Sequence, residues 1–261
     1  PYPVVVDGRI LWMVDGYTTS DNYPYAARIS LRDATADSVN TQDTFAQLNA
    51  GNVTYIRNAV KATVDAFDGT VHVYAWDDSD PVLATWSKAF PGVVEPKSAM
   101  PEGVLAHVRY TEDMFKVQRD VLARYHVSDP QAFYSGQDFW IVPDDPTKPA
   151  LKQAQPPYFL TLRMPDQDAP AFQLTTAYAP SKRQTLAAFM AVNSDPGEDY
   201  GTIRVLQLPR NTTIPGPTQV QNNFESDPAV SSQLSLLRRG GSAVIFTFPY
   251  PSSVRGFRML C

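Results

Sequence analysis

The chain has 261 residues, of which 43% are hydrophobic and 19% charged, and its formal net charge is −5. This composition is typical of a folded globular protein; it excludes a disordered chain and, because no apolar run is long enough, a membrane-spanning helix. The acidic balance and the scattered lysines and arginines disfavour nucleic-acid binding, which requires a clustered basic surface. The single cysteine, Cys261, excludes an internal disulfide and a cysteine-based metal site.

The chain is predicted to open with a β-hairpin and a long loop. "PVVV" and "RILWMV" flank the dipeptide Asp7-Gly8, which favours a tight hairpin turn. A second such dipeptide, Asp15-Gly16, ends this hairpin. The polar segment that follows, to about Gly51, is interpreted as an irregular loop, and loops of that length in compact domains are usually functional or poorly ordered.

A helix, a strand and a second helix are predicted next. Apolar residues recur at intervals of three and four from Val53 to Phe67, which predicts an amphipathic helix ended by the Asp-Gly pair that follows. The segment "TVHVYAW" alternates between two faces, as a strand requires. The second helix begins at Asp80-Pro81, and its apolar residues are Val82, Leu83, Trp86 and Phe90.

The middle of the chain is predicted to contain a strand and two helices. The segment "VLAHVRY" at residues 104–110 is interpreted as a strand, and a helix is predicted from about Glu112 to Tyr125. A shorter helix follows Asp129-Pro130 and ends at Gly136, because Asp and Pro are favoured at the first helical positions and Gly just past the last.

The C-terminal part is predicted to form a hairpin and a strand–helix–strand unit. "YFLTLRM" and "AFQLTTAY" alternate and form the hairpin. Ser181 and Gln184 have the spacing of a capping box, which predicts a helix that buries Leu186, Phe189 and Met190. "GTIRVLQL" is the next strand, followed by a helix after Asp227-Pro228 and a last strand, "AVIFTF".

These elements predict an α+β fold. Strands and helices are interspersed without a long βα alternation, so we expect mixed sheets of short strands, joined by long irregular proline-rich loops. The predicted regions are 1–150 (hairpin and helix–strand–helix), 151–246 (hairpin and strand–helix–strand) and an atypical tail at 247–261. One continuous domain is the alternative.

Two acidic segments are the candidates for catalysis. Asp77 and Asp78 follow a predicted strand, where open sheets often place ligand sites; they could hold calcium, act as an acid and a base, or form a solvated turn. In "GQDFWIVPDDP", Asp138 and Asp144 lie near aromatic residues that either line a pocket or belong to the core. The aromatic candidates for ligand binding in that region are Tyr134 and Trp140.

The opening loop offers a third candidate site. Asp15, Tyr17, Asp21, Tyr23 and Tyr25 form a polar aromatic segment that could bind a sugar, a peptide or a cation, or serve as an ordered structural loop. Of these, Tyr17 and Asp21 are the ligand-binding candidates. No histidine spacing indicates a metal ligand set, so no metal site and no cofactor are predicted beyond the calcium alternative.

Seven long stretches of the chain, between about residues 1 and 245, resemble the large bacterial membrane proteins of uncharacterised protein family (UPF) 0182. They are "DGYTTSDNYPYA", "YIRNAVKATVDAFDGTVHVYAWDDSDP", "FKVQRDVLARYHVSDPQAFYSGQDFW", "FQLTTAYAP", "LAAFMAVNSDP", "YGTIRVLQLPR" and "TTIPGPTQVQNNFESDP". The resemblance implies a parent protein with several membrane spans in its N-terminal half and a large domain outside the cytoplasm. "PYPVVV" would then be an internal strand, and membrane attachment would lie in segments outside this chain.

The resemblance carries no catalytic residues over to this sequence. It implies a soluble extracytoplasmic domain at the cell membrane. The leading interpretation is that this domain is not an enzyme and that it binds an envelope protein, a cell-wall component or a small ligand. A hydrolase or transferase that uses paired carboxylates on an envelope substrate is the first alternative. A calcium-stabilised structural module is the second.

Overall fold

The structure is a computed structural model that describes residues 1–39, 51–209, 211, 213–240 and the backbone of 258–259. It has the α+β fold that the sequence predicts. The chain divides into two compact units. Unit 1 comprises Pro1–Ala34, Leu48–Phe115 and Asn193–Gly201, and unit 2 comprises Thr35–Gln47, Lys116–Val192 and Thr202–Cys261.

Unit 1 is built on a four-stranded sheet in the order β1-β2-β5-β6, in which every neighbouring pair is antiparallel. A two-stranded sheet pairs β3 with β4. The elements of this part of the chain are β1 (Tyr2–Val6), β2 (Arg9–Ser20), β3 (Ile29–Ser30), α1 (Leu31–Thr35), β4 (Asn52–Val53), β5 (Tyr55–Asp65), β6 (Val71–Ala75), α2 (Pro81–Ala89), a 3-10 turn (Lys97–Ala99) and α3 (Glu102–Leu105).

One face of the four-stranded sheet carries the core of unit 1. Its side chains pack against Met100, which follows the 3-10 turn, and against side chains of α3 and the segment after it. Alternate residues of each strand supply this inner face, as the two-residue period of a strand requires. The buried members of the core are Val4, Met13, Tyr74, Met100, Val104 and Val108.

The helix predicted from Val53 to Phe67 is wrong, because this segment forms β5 (Tyr55–Asp65). The apolar residues Ile56, Val60 and Val64 are four positions apart, and an interval of four fits both the helical period and the two-residue period of a strand. β-branched residues and two strand partners, β2 and β6, decide the outcome.

Two shorter predictions in unit 1 are also wrong. The dipeptide Asp15-Gly16 does not end the hairpin, since β2 continues to Ser20. The register shifts just after Gly16, and a Cβ atom there would lie 2.5 Å from the side chain of Val60, so glycine serves close packing and not a turn. "VLAHVRY" is not a strand, because α3 begins after Pro101 and bonded turns follow it.

Unit 2 is built on a sheet in the order β12-β11-β10-β9-β7, and β8 also pairs with β9. The predicted hairpin is confirmed: β8 and β9 are antiparallel, with Tyr158 opposite Thr175. The elements of this part of the chain are α4 (Glu112–Tyr125), α5 (Pro130–Ser135), β7 (Trp140–Ile141), β8 (Tyr158–Leu162), β9 (Ala171–Pro180), β10 (Ala188–Asn193), β11 (Ile203–Gln207), α6 (Pro217–Ser226), α7 (Pro228–Gly240) and β12 (Arg258–Met259).

The helices that begin with Asp-Pro are confirmed. Asp80, Asp129 and Asp227 each accept hydrogen bonds from backbone N–H groups in the first turn of the helix that follows. The helix after Asp129 is ended by Gly136 in the left-handed conformation, with φ 64°. The predicted helix from Glu112 to Tyr125 is confirmed with those bounds.

The helix predicted after Ser181 is wrong, because the segment is a turn that leads into strand β10 (Ala188–Asn193). All six residues of β10 are buried, and the strand lies between β9 and β11. A strand covered on both faces has no polar alternation, so its apolar run cannot be distinguished from a buried helix by period. The predicted last strand "AVIFTF" and most of the tail lie outside the described residues.

Candidate functional site

The first acidic candidate lies in the turn between β6 and α2. The Asp77 carboxylate accepts hydrogen bonds from Arg57 Nη1 at 2.9 Å and from the Ser79 backbone N and Oγ at 3.0 and 2.6 Å. Asp78 is exposed beside it. Burial raises the pKa of Asp77, but the hydrogen bonds from Ser79 and Arg57 outweigh burial and lower the pKa below its ordinary value. Asp77 is therefore ionised at neutral pH.

Asp80 lies beneath this turn and connects three elements. Its buried carboxylate accepts hydrogen bonds from the Thr18 hydroxyl on β2, from the Tyr55 hydroxyl on β5 at 2.7 Å and from the Val82 N–H of α2 at 3.0 Å. Burial opposes ionisation of Asp80, but these hydrogen bonds lower its pKa overall. Burial and the hydrogen bond to Asp80 raise the pKa of Tyr55 to about 12.

Tyr55 is the centre of an aromatic and charged surface. Its ring stacks on that of Tyr23 with centroids 5.9 Å apart, and the Arg57 guanidinium lies 5.9 Å from the Tyr55 centroid. Tyr23 is 57% exposed, and its backbone N–H donates to Thr54 Oγ1 at 2.9 Å, which fixes the loop after β2. We call the set Tyr23, Tyr55, Arg57, Asp77 and Ser79 the Tyr55 patch. Asp21 is exposed and precedes Tyr23 by two residues.

The Tyr55 patch combines an exposed ring face with fixed hydrogen-bonding groups. Tyrosine offers a large apolar surface with a polar end, and aromatic residues and arginine are enriched where proteins bind partners. The Arg57–Asp77 pair and Ser79 supply donors and acceptors beside the rings. The patch can therefore hold a polar molecule that has one flat face.

Tyr17 belongs to a second polar cluster of unit 1. Its hydroxyl shares a hydrogen bond with Thr111, and burial raises its pKa well above the ordinary range. Lys61, which is 2% exposed, forms an ion pair with Asp15 directly across the β2–β5 pairing and donates to the Arg109 carbonyl at 3.1 Å. Burial lowers the pKa of Lys61, although Asp15 partly offsets this effect. The Tyr17 hydroxyl is thus engaged with Thr111 inside unit 1.

The candidates in unit 2 are dispersed among different environments. Tyr134 on α5 is 91% exposed. Trp140 is a core residue, since its buried ring stacks on His126 at 3.5 Å between centroids and lies 5.2 Å from Tyr178. The Asp138 backbone carbonyl accepts a hydrogen bond from His126 Nε2 at 3.1 Å.

Asp144 is exposed, and its backbone forms an isolated antiparallel β-bridge with Ala154. The neighbouring carboxylate, Asp145, is the buried member of the pair; it accepts hydrogen bonds from the Ser38 hydroxyl and from Thr147 N and Oγ1 at 2.9 and 2.7 Å. The sequence indicates Asp144 and Asp145 together and favours Asp144 as the catalytic candidate, although no local signal shows which of two adjacent aspartates is buried.

Sequence reasoning missed Tyr55 and Arg57, because residues 53–67 were interpreted as a helix. In a strand, positions 55 and 57 lie on the same side, and that period would have been the signal. Within the described ranges, no group of three or more His, Cys, Asp or Glu side chains is arranged to hold a metal ion. The same part of the chain contains no helix with the length and hydropathy needed to cross a bilayer.

One family model and several curated proteins are similar to this chain. The family model described as "Uncharacterised protein family (UPF0182)" matches residues 1–237. UPF0182 proteins of Kineococcus radiotolerans, Thermobifida fusca and Paenarthrobacter aurescens are 54%, 53% and 52% identical to this chain over the aligned residues. These alignments cover 94% of this chain and 26%, 24% and 26% of the respective relatives.

The chain therefore spans about a quarter of the length of the curated relatives it matches. No solved structure is significantly similar to it. A family model that matches most of the chain, together with relatives that share more than half of its aligned residues, shows that the chain belongs to the uncharacterised protein family UPF0182.

Proposed function

We propose that the chain is the extracytoplasmic part of a bacterial envelope membrane protein and that it binds a polar envelope ligand at the Tyr55 patch. The exposed stack of Tyr23 on Tyr55, flanked by the Arg57–Asp77 pair, is the observation that carries the binding role. A cell-wall sugar has the required chemistry, because one ring face presents C–H groups for stacking while the hydroxyl groups form hydrogen bonds at the edge. The cellular location rests on the family resemblance.

The electrostatics of the patch argue against Asp77 as a general acid or as a calcium ligand. A general acid must hold a proton at the working pH, whereas Asp77 is kept ionised by its hydrogen bonds to Ser79 and Arg57. The Arg57 guanidinium also occupies the Asp77 oxygen that a calcium ion would need. The donors and acceptors are held in place before a ligand arrives, which reduces the entropic cost of binding.

Titration with soluble peptidoglycan fragments tests the proposal. We expect binding to the wild-type chain by isothermal titration calorimetry and at least a tenfold loss of affinity for Tyr23→Ala, since an exposed ring is removed without disturbing the Asp80 hydrogen bonds. Tyr134→Ala is the matched control, because Tyr134 is an exposed tyrosine outside the patch, and its affinity should equal that of the wild type. Absence of binding to the wild type, or equal losses in both variants, would refute the proposal.

A further inference from the structure

In the part of the unit 1 sheet that includes residues 60–64 of β5, the face opposite the core is apolar. The register of the three strand pairs places one set of side chains on this face. We call this set the outer face: Pro3, Val5, Ile10, Trp12, Val14, Val60, Ala62, Val64, Val71, Val73 and Ala75. None of its members is ionisable, and none can form a side-chain hydrogen bond except through the Trp12 indole N–H.

Much of the outer face is accessible. Val5, Ile10, Trp12 and Val71 are 62%, 53%, 43% and 56% exposed. An antiparallel sheet with one face in water alternates apolar and polar residues along each strand, and this alternation is missing at β1, where "PVVV" is apolar on both sides. Such a pattern is typical of a strand that is covered on both faces. The outer face therefore has the composition of a surface that is buried against another element.

The size of the outer face indicates what covers it. Four strands about 4.8 Å apart and five residues deep give a footprint of roughly 300 Å². A stable complex of two proteins buries about 800 Å² on each partner, so a dimer of two such sheets would have a small interface. An α-helix of about 12 residues is roughly 18 Å long and 10 Å wide, so it extends along the full length of the strands and covers about 60% of the face. Because the face has no charge, the helix must present an aliphatic stripe.

The relatives indicate where this helix comes from. They share this region with the chain, but it accounts for only 24% to 26% of their length. We propose that, in the longer polypeptides of this family, the outer face is covered by an amphipathic helix of the same polypeptide from outside the region that aligns with this chain. Helix on sheet is one of the stable layer arrangements for burying an apolar face. This inference is independent of the Tyr55 patch.

Photo-crosslinking in the full-length Thermobifida fusca relative tests the proposal. The photoreactive residue p-benzoylphenylalanine replaces the residue aligned with Trp12 or, in a second variant, the residue aligned with Val5. We expect crosslinks at the mass of one polypeptide, to one helix outside the aligned region, at residues three and four apart. The matched control places the probe at the position of Trp86, which is exposed on α2, and should not reach that helix. The proposal would be overturned by crosslinks at the mass of a dimer, by crosslinks to lipid, or by a crosslinking yield no higher than that of the control.

Thiol labelling provides a second measurement that does not depend on crosslinking yield. Val5→Cys in this chain alone, with Cys261 replaced by serine so that the new thiol is unique, should react with a maleimide at least tenfold faster than the aligned cysteine in the full-length relative. A cysteine at the position of Trp86 should react at similar rates in both proteins. Equal rates at the Val5 position would contradict the proposal.

Discussion

Asp80 shows how one buried carboxylate connects local and long-range structure. It caps α2 as an Asp before proline is expected to do, and its second role, as acceptor for Thr18 and Tyr55, joins β2 and β5 to the same helix. The cap could be predicted from two adjacent residues, because it depends only on local geometry. The long-range hydrogen bonds could not, because they depend on the pairing of β2 with β5.

We predict that Asp80→Ala lowers the free energy of unfolding by about 2–3 kcal/mol. The variant loses the helix cap and leaves the hydroxyl groups of Thr18 and Tyr55 without their acceptor. Urea denaturation at pH 7 measures the loss. Asp129→Ala is the control, since Asp129 caps α5 at an exposed position, and it should cost about 1 kcal/mol. Equal losses would show that the side-chain hydrogen bonds add nothing.

The stability contribution of Asp80 should depend on pH. Its pKa is lower in the folded chain than in the unfolded one, so the ionised carboxylate stabilises the fold above the unfolded pKa of about 4, and this contribution is lost as the pH falls through the folded pKa. We expect the stability difference between the wild type and Asp80→Asn to be constant from about pH 8 to 5 and to shrink below about pH 4. Urea titrations at stepped pH test this, and a difference that grows in acid would contradict it.

The Asp15–Lys61 pair predicts a strongly asymmetric set of variants. We expect Asp15→Asn to lower the free energy of unfolding by about 3–5 kcal/mol, because it leaves a buried ammonium group without its counter-charge. The double variant Asp15→Leu/Lys61→Met should recover most of that loss, since it removes both charges and keeps an apolar volume. Chemical denaturation measures both. A double variant as unstable as the single one would show that the charges themselves stabilise the fold.

At the scale of elements, several helix ends were predicted well, whereas two strands were mistaken for helices. The bounds of α4 and the ends of α2, α5 and α7 follow from caps and from one glycine, which are local signals. The strands β5 and β10 were assigned as helices, because the apolar spacing of β5 fits both periods and β10 is an apolar run that is buried on both faces. Sequence reasoning could therefore predict the α+β class but not the connectivity of the sheets.

Two segments of unit 2 approach each other so closely at Gly216 and Gln184 that position 216 requires glycine. Gly216 N–H donates to the Gln184 carbonyl at 3.0 Å, and a Cβ atom at Gly216 would overlap that carbonyl. We predict that Gly216→Ala lowers the free energy of unfolding by about 1–3 kcal/mol, because the backbone must move to relieve the overlap. Gly51→Ala is the control: no atom lies within 4 Å of its added Cβ. It should change stability by less than about 0.5 kcal/mol, and a similar loss in both would contradict the packing argument.

At the scale of the whole molecule, the two faces of the unit 1 sheet should respond differently to the same substitution. Val4 is buried in the core and Val5 is exposed on the outer face. We predict that Val4→Thr costs about 1–3 kcal/mol, because a hydroxyl group is buried, whereas Val5→Thr changes stability by less than about 0.5 kcal/mol and raises the solubility limit of this chain. Thermal denaturation and concentration-dependent light scattering measure these effects. Losses of equal size would show that both faces are buried in solution.

The candidate site was predicted only in part. Asp77 and the aromatic segment before residue 26 were selected from the sequence, and the structure places Asp77 with Tyr23 around Tyr55. Trp140, selected as a possible ligand contact, is in the core instead. An aromatic residue in a strand has the same sequence signature in either setting, because burial is decided by the elements that pack over it.

The direct pairing of Asp15 with Lys61 across β2 and β5 also bears on how the chain finds its native alignment. Two long strands can pair in several registers of similar energy. If β5 paired with β2 one residue out of register, the ammonium group of Lys61 would lie on the outer face, which has no carboxylate to pair with it. We therefore expect this salt bridge to specify the strand register, because shifted registers lose more stability from an unpaired charge than the native register gains from the ion pair.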